Sequence, residues 1–110
     1  FPLAGRTFDG VIVTNYLWRP ILADIVGAVG PGGVLIYETF AVGQERLGRP
    51  SNPAFLLEPG ELVRATAGRL VPIAYEHATV SRGRPRVVQR IVAVASDHAW
   101  VLAPPPSALA

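Results

Sequence analysis

Two stretches of the chain are apolar almost without interruption, Phe8 to Leu17 around Val11-Ile12-Val13 and Gly32 to Phe40 around Val34-Leu35-Ile36. A strand covered on both faces carries a continuous Val/Ile/Leu run, whereas a half-exposed strand alternates. Both runs therefore predict parallel strands, Phe8–Thr14 and Val34–Thr39, buried on each side. Between them Ile21, Leu22, Ile25, Val26 and Val29 recur at helical spacing. Pro20 suits the first turn of that helix, where its missing N–H leaves nothing unpaired. Gly30 followed by Pro31 predicts a left-handed cap and a stop. The three segments read as one β-α-β unit.

Beyond Phe40 the pattern changes. From Ala41 to Leu57 the chain is rich in Gly, Pro, Asn and Arg without a sustained period, which predicts a long loop of the kind that is often functional. Glu58-Pro-Gly-Glu61 predicts a helix start, with acidic groups near the positive end of the helix dipole, and Gly68 a stop near Ala67. Val71, Ile73 and Tyr75 then alternate as one face of a strand, and Val88, Val92 and Val94 as one face of the next, with Ser81-Arg-Gly-Arg84 as the turn of an antiparallel hairpin. Residues 104–110, opening on Pro104-Pro-Pro106, predict an extended, mobile tail behind a domain spanning residues 1–103.

Composition narrows the class. Half of the 110 residues are hydrophobic, enough for one core, while only 16% are charged, below the usual share of about 25%. All ten basic residues are arginine, yet net charge is only +2, which gives little support to a nucleic-acid partner. With no cysteine there is no disulfide, thiolate metal site or thiol chemistry. His77 and His98 lie far apart without a third ligand, so no metal is expected. No apolar run approaches the roughly 20 residues that span a bilayer. The chain contains no methionine and begins at Phe1, so it is expected to be a processed or truncated product, by default cytoplasmic.

The wording of three segments adds a family resemblance. Phe8-Asp9 opens the first strand, Pro31-Gly-Gly33 precedes the second, and the stretch Phe40-x-x-Gly-x-Glu-Arg-x-Gly-Arg-Pro-Ser-Asn-Pro-x-Phe-Leu-Leu-x-Pro-Gly-Glu-Leu62 fills the long loop. Over residues 8–96 the order of elements resembles the C-terminal half of the class I S-adenosylmethionine-dependent methyltransferase fold, whose last two strands form a reversed hairpin. The loop string resembles a bacterial subgroup of TehB-like proteins. The implied class is α/β: a partial Rossmann-like sheet of two parallel strands with helices, plus the C-terminal antiparallel hairpin. The family's glycine-rich cofactor loop and the acidic residue for the ribose hydroxyls have no counterpart here. Gly30-Pro-Gly-Gly33 lies between a helix end and a strand start and reads as a turn. The resemblance thus implies an S-adenosylmethionine-dependent enzyme with a small-molecule acceptor, of which this chain is a fragment with weak or no cofactor binding of its own.

Ligands of open α/β sheets bind beyond the carboxyl ends of the parallel strands. Two segments leave those ends. By resemblance Asn15, Tyr16 and Leu17 lie on the cofactor side; the competing reading gives Asn15 turn hydrogen bonds and Tyr16 and Trp18 core packing. Trp18, Arg19, Glu38, Phe40 and Arg46 are the substrate-side candidates. A carboxylate ending a buried strand needs a partner or a wet cleft, so Glu38 either faces substrate or pairs with Arg46 or Arg49. Catalytic residues cannot be named from spacing. Arg82, Arg84, Arg86 and Arg90 cluster around the hairpin without interleaved aromatics, the pattern of a solvated face rather than a nucleic-acid groove. A second class of function stays open, a non-catalytic α/β module that self-associates or joins another chain through the free edge of its first strand.

Overall fold

The computed structural model describes residues 5–107; the first four residues of the lead-in and the last three of the Pro-rich tail lie outside them. Four strands form one sheet, β1 (Phe8–Thr14), β2 (Val29–Phe40), β3 (Val71–Val80) and β4 (Arg86–Val94), in the order β1-β2-β4-β3. β1 and β2 are parallel, and β4 runs antiparallel to both β2 and β3. Two short helices, α1 (Leu22–Gly27) and α2 (Glu61–Thr66), pack on the sheet. This is the predicted α/β order, with the second strand of the hairpin inserted beside β2.

The helices cover one face only. Leu35, Tyr37, Ile91 and Ala93 point into the core with Ile21, Leu22, Ile25, Val26 and Leu62. On the other face Ile12 is 71% exposed and Ile36 42% exposed. Those two are register partners, and Ile36 in turn faces Val92 and Val92 faces Ala74. The expectation of strands buried on both sides is therefore corrected. A continuous apolar run indicates two apolar faces; the helices cover one of them, and on the other Val88 and Val94 are buried while Ile12 and Ile36 stay exposed.

The helix–strand boundary also differs. A 3-10 turn at Arg19–Ile21 leads into α1, which ends at Gly27 with Ala28 still right-handed; Val29 already belongs to β2. Val29 pairs with Phe8 and Val34 with Gly10, so the chain at 30–33 bulges out of the ladder instead of capping the helix. The left-handed residue is Gly32, not Gly30. Gly33 sits where the excursion closes: an added Cβ would lie 2.8 Å from the Gly30 carbonyl oxygen and 3.0 Å from that of Phe8.

In β3 a bulge between Pro72 and Ala74 shifts the register, so that Val71 faces Val94 while Tyr75 faces Ile91. Residues directly opposite share a face. Val94 and Ile91 point to opposite sides of β4, so Val71 and Tyr75 do not share a face as their alternation predicts. Tyr75 packs toward the core. The extra residue, Ile73, is invisible to a period-2 reading.

The long loop is ordered by closure of its ends. The Val42 N–H donates to the Leu57 carbonyl at 3.0 Å, and the Leu57 N–H to that of Phe40 at 3.0 Å. Two 3-10 turns, Gln44–Arg46 and Pro53–Phe55, lie between. The predicted helix start at Glu58–Glu61 and the hairpin turn at 81–85 are where the sequence places them.

Gly33→Ala should lower unfolding stability by about 2 kcal/mol, because both oxygens it would strike are backbone. Gly10→Ala, whose added Cβ meets nothing within 4 Å, should shift it by less than about 0.5 kcal/mol. Urea denaturation of the two variants separates the effects.

Candidate functional site

The segments leaving β1 and β2 meet at one end of the sheet. Thr14 is the register partner of Glu38, and the Asn15 N–H donates to the Glu38 carbonyl at 2.9 Å. Asn15 is the only non-glycine residue with a left-handed backbone among those described, φ 54°. Such a conformation is sparsely populated outside glycine and clusters at ligand clamps. It turns the chain sharply at the strand's carboxyl end. Tyr16 and Trp18 are then 47% and 54% exposed, while Leu17 between them is buried in the core.

Tyr37 fixes this turn from below. Its hydroxyl donates to the Tyr16 carbonyl at 2.7 Å from a fully buried ring. Burial pushes the phenol up to about 12, helped by Tyr16. The hydroxyl therefore remains a donor through the neutral range, and its contribution to stability, complete below the ordinary value of 10, is lost as pH climbs through about 12.

Arg19 is engaged within the protein. Its Nε and one terminal nitrogen donate to the two carboxylate oxygens of Glu61, each at 2.8 Å. The remaining donors reach the carbonyls of Leu56 at 2.7 Å, Ala54 at 3.2 Å and Pro53 at 3.4 Å. The guanidinium thus ties the segment after β1 to the end of the long loop and to the first turn of α2. Burial pulls the Glu61 carboxyl upward, but the hydrogen bonds from Arg19 and the Glu58 N–H, with the charges of Arg19 and Arg64, hold it below its ordinary value.

Glu38 finds a partner different from either expected one. Its carboxylate lies 2.8 Å from Arg90 Nε, and Glu76 lies 3.4 Å from another nitrogen of Arg90. The three residues are cross-strand neighbours on the uncovered face. The close approach at Nε is an ionic contact rather than an aligned hydrogen bond, since that N–H has no hydrogen-bond acceptor. Arg46 and Arg49, the partners predicted for Glu38, stand on the loop instead, Arg46 exposed at the end of its 3-10 turn.

Phe40, the last residue of β2, lines a concavity that the other candidates do not enter. A cleft of about 500 Å³ runs from Phe40 and the 44–49 loop to the β3–β4 turn, with Arg49, Arg84 and Arg86 in its walls. Its framework is Gln44, buried, whose side-chain oxygen accepts the Val87 N–H at 2.8 Å and whose nitrogen donates to the Arg49 carbonyl at 3.0 Å. Nothing in the sequence singled out Gln44: one polar residue in an aperiodic loop carries no signal for a contact 43 residues away.

No family model matches the chain, and no curated protein does. Solved structures do. The N-methyltransferase NodS from Bradyrhizobium japonicum WM9 is similar over 83% of this chain with a TM-score of 0.58 at 12% identity. TehB from Haemophilus influenzae is similar over 83% with a TM-score of 0.60 at 13% identity. The chain spans 52% of the first and 36% of the second. The fold is an open α/β sheet of the methyltransferase kind. TehB is one of the proteins that share this fold.

The Arg19–Glu61 pair yields a pH-dependent prediction. A carboxyl lowered on folding stabilises above its unfolded value and loses that contribution as pH falls through the folded one. Stability should therefore decline below about pH 4.5, the ordinary value of the group. Arg19→Ala should cost about 2 kcal/mol at neutral pH and flatten the acid limb of a denaturation series.

Proposed function

We propose that this chain is part of an S-adenosylmethionine-dependent methyltransferase acting on a small-molecule acceptor. The observation that carries the reading is topological. A parallel pair followed by a reversed hairpin, in the order β1-β2-β4-β3, is similar to NodS and TehB over 83% of the chain. The strained turn at Asn15 and the exposed rings of Tyr16 and Trp18 stand at the carboxyl end of a parallel strand, where such sheets bind ligands.

The residues present fit one end of the cofactor. Asn15 offers an amide, and Tyr16 and Trp18 offer ring faces toward which a sulfonium is attracted; no glycine-rich loop or diol-binding carboxylate can be assigned to this chain. When bound, S-adenosylmethionine supplies an activated methyl group. The side chains here position the reactants and exclude water, which is where most of the rate of an in-line displacement originates. Glu38, held by Arg90, sits beside that end of the sheet as an orienting group. About half of NodS and two-thirds of TehB have no counterpart in this chain, and the ribose and adenine contacts are assigned to such a missing portion.

Isothermal titration with S-adenosylhomocysteine tests the reading in two arms. The protein translated from the complete reading frame should bind with micromolar affinity and lose about tenfold on Asn15→Ala, whereas the 110-residue chain alone should bind too weakly to measure. Absence of binding and of methyl transfer in the complete protein would refute the methyltransferase assignment. Micromolar binding by the 110-residue chain would refute the division of the site.

A second reading, a non-catalytic module joined to another chain, is favoured by β1, which lies at the sheet margin with a hydrogen-bonded neighbour on one side only. Light scattering should then show a concentration-dependent dimer that Ile12→Lys weakens; a clean monomer at high concentration counts against it.

A further inference from the structure

We propose that the cleft between the 44–49 loop and the β3–β4 turn is a binding site for a small organic anion carrying two or more negative charges, a phosphate ester or a polycarboxylate. This goes beyond the methyltransferase reading and does not depend on it.

The first argument is charge. Arg49, Arg84 and Arg86 line the cleft, and no carboxylate does. None of the three takes part in an ion pair among the described residues, where the paired arginines are Arg19, Arg64 and Arg90. Three arginines lining one cavity with no carboxylate among them leave its charge uncompensated, a state that a bound anion relieves. Guanidiniums also match the planar, bidentate geometry of carboxylate and phosphate oxygens. The smaller cleft at the other end of the sheet, about 210 Å³, offers a contrast. There Arg6 and Arg69 share the wall with Asp24, so its positive charge is partly offset.

The second argument is construction. The two walls belong to segments some 40 residues apart in sequence, and buried polar groups lock them together. Gln44 bonds to both Val87 and Arg49, and the Ala41 N–H donates to the Val87 carbonyl at 3.1 Å. Gly43, at φ 114°, lets the loop lie against Val87, where an added Cβ would come within 3.3 Å of a methyl carbon. A solvated, arginine-rich turn needs none of this.

The third argument is size and place. A volume of about 500 Å³ falls within the usual range of about 300–1,000 Å³ for small-molecule sites. Phe40 contributes an aromatic wall and is the last residue of β2, so the cleft opens at the carboxyl end of a parallel strand. A nucleic acid would instead call for an open basic stripe with stacking aromatics. These arginines surround a concavity.

The test is isothermal titration of the 110-residue chain at low salt, with pyrophosphate and citrate as probes and no methyl donor present. One equivalent should bind with sub-millimolar affinity. Arg49→Ala and Arg84→Ala should each weaken binding at least tenfold, and Arg84→Lys should recover part of the loss. Arg82→Ala, on the same turn but outside the cleft, and Arg69→Ala should change it less than twofold. Gln44 and Val87 amide resonances should shift on titration, which locates the site even where a variant is poorly folded. Failure of both probes to bind, equal losses from Arg82 or Arg69, or displacement of both probes by a single-stranded oligonucleotide with a steep salt dependence would each overturn the proposal. Because no methyl donor is used, the result is independent of whether the methyltransferase reading stands.

Discussion

Arg19 joins three parts of the chain that have no covalent reason to be near one another. It follows the turn after β1, grips the carbonyls at 53–56, and closes on the Glu61 carboxylate in the first turn of α2. A fork of five N–H donors in one plane can satisfy that many acceptors at once; a lysine in its place would offer a single rotating point of charge. Take the fork away and several carbonyls lose their partners while the loop loses its anchor. The geometry at the carboxyl ends of β1 and β2 therefore rests on a contact spanning 42 residues of sequence.

Two buried glutamines extend the same principle to the rest of the loop. Gln89, on the central strand β4, accepts the Leu62 N–H at 2.8 Å and donates to the Glu58 carbonyl at 2.9 Å. Gln44 does the equivalent for the 44–49 segment. Each amide presents one donor side and one acceptor side, so it can join a strand to a loop without leaving a buried group unpaired. This matters because α1 and α2 are six residues each, far below the roughly 12–15 at which a helix is even marginal by itself in water. They are helical because packing and side-chain bonds hold them against the sheet.

Much of this architecture was legible in the sequence, and the exceptions share a cause. Apolar runs, the Glu58-Pro-Gly-Glu61 start and the Ser81-to-Arg84 turn are local signals, and they located β1, the core of β2, α2 and the hairpin. The onset of β2 at Val29 was hidden because helical spacing and strand pairing compete for the same residue, and pairing with Phe8 prevails. Ile73 looked like one more tooth of an alternation until the partner strand revealed it as an insertion. Of the site, the segments at the two carboxyl ends could be named. The partners of Arg19 and Glu38 could not, because Glu61 and Arg90 are remote in sequence and only sheet order brings them close.

The two margins of the sheet are unequal. β3 ends the sheet with a residue lacking an N–H, Pro72, and with a bulge immediately after it, both of which spoil a regular ladder. β1 at the opposite margin has neither proline nor a break between Gly10 and Thr14. A second copy meeting β1 through its own β1 would close a two-fold pair and leave β3 outward on both sides. Head-to-tail stacking of β1 on β3, the arrangement that lengthens indefinitely, would have to seat on Ala74–Val80, clear of the proline and the bulge that begin the strand. Pairing through β1 needs no such offset, so a closed pair would be the simpler of the two assemblies.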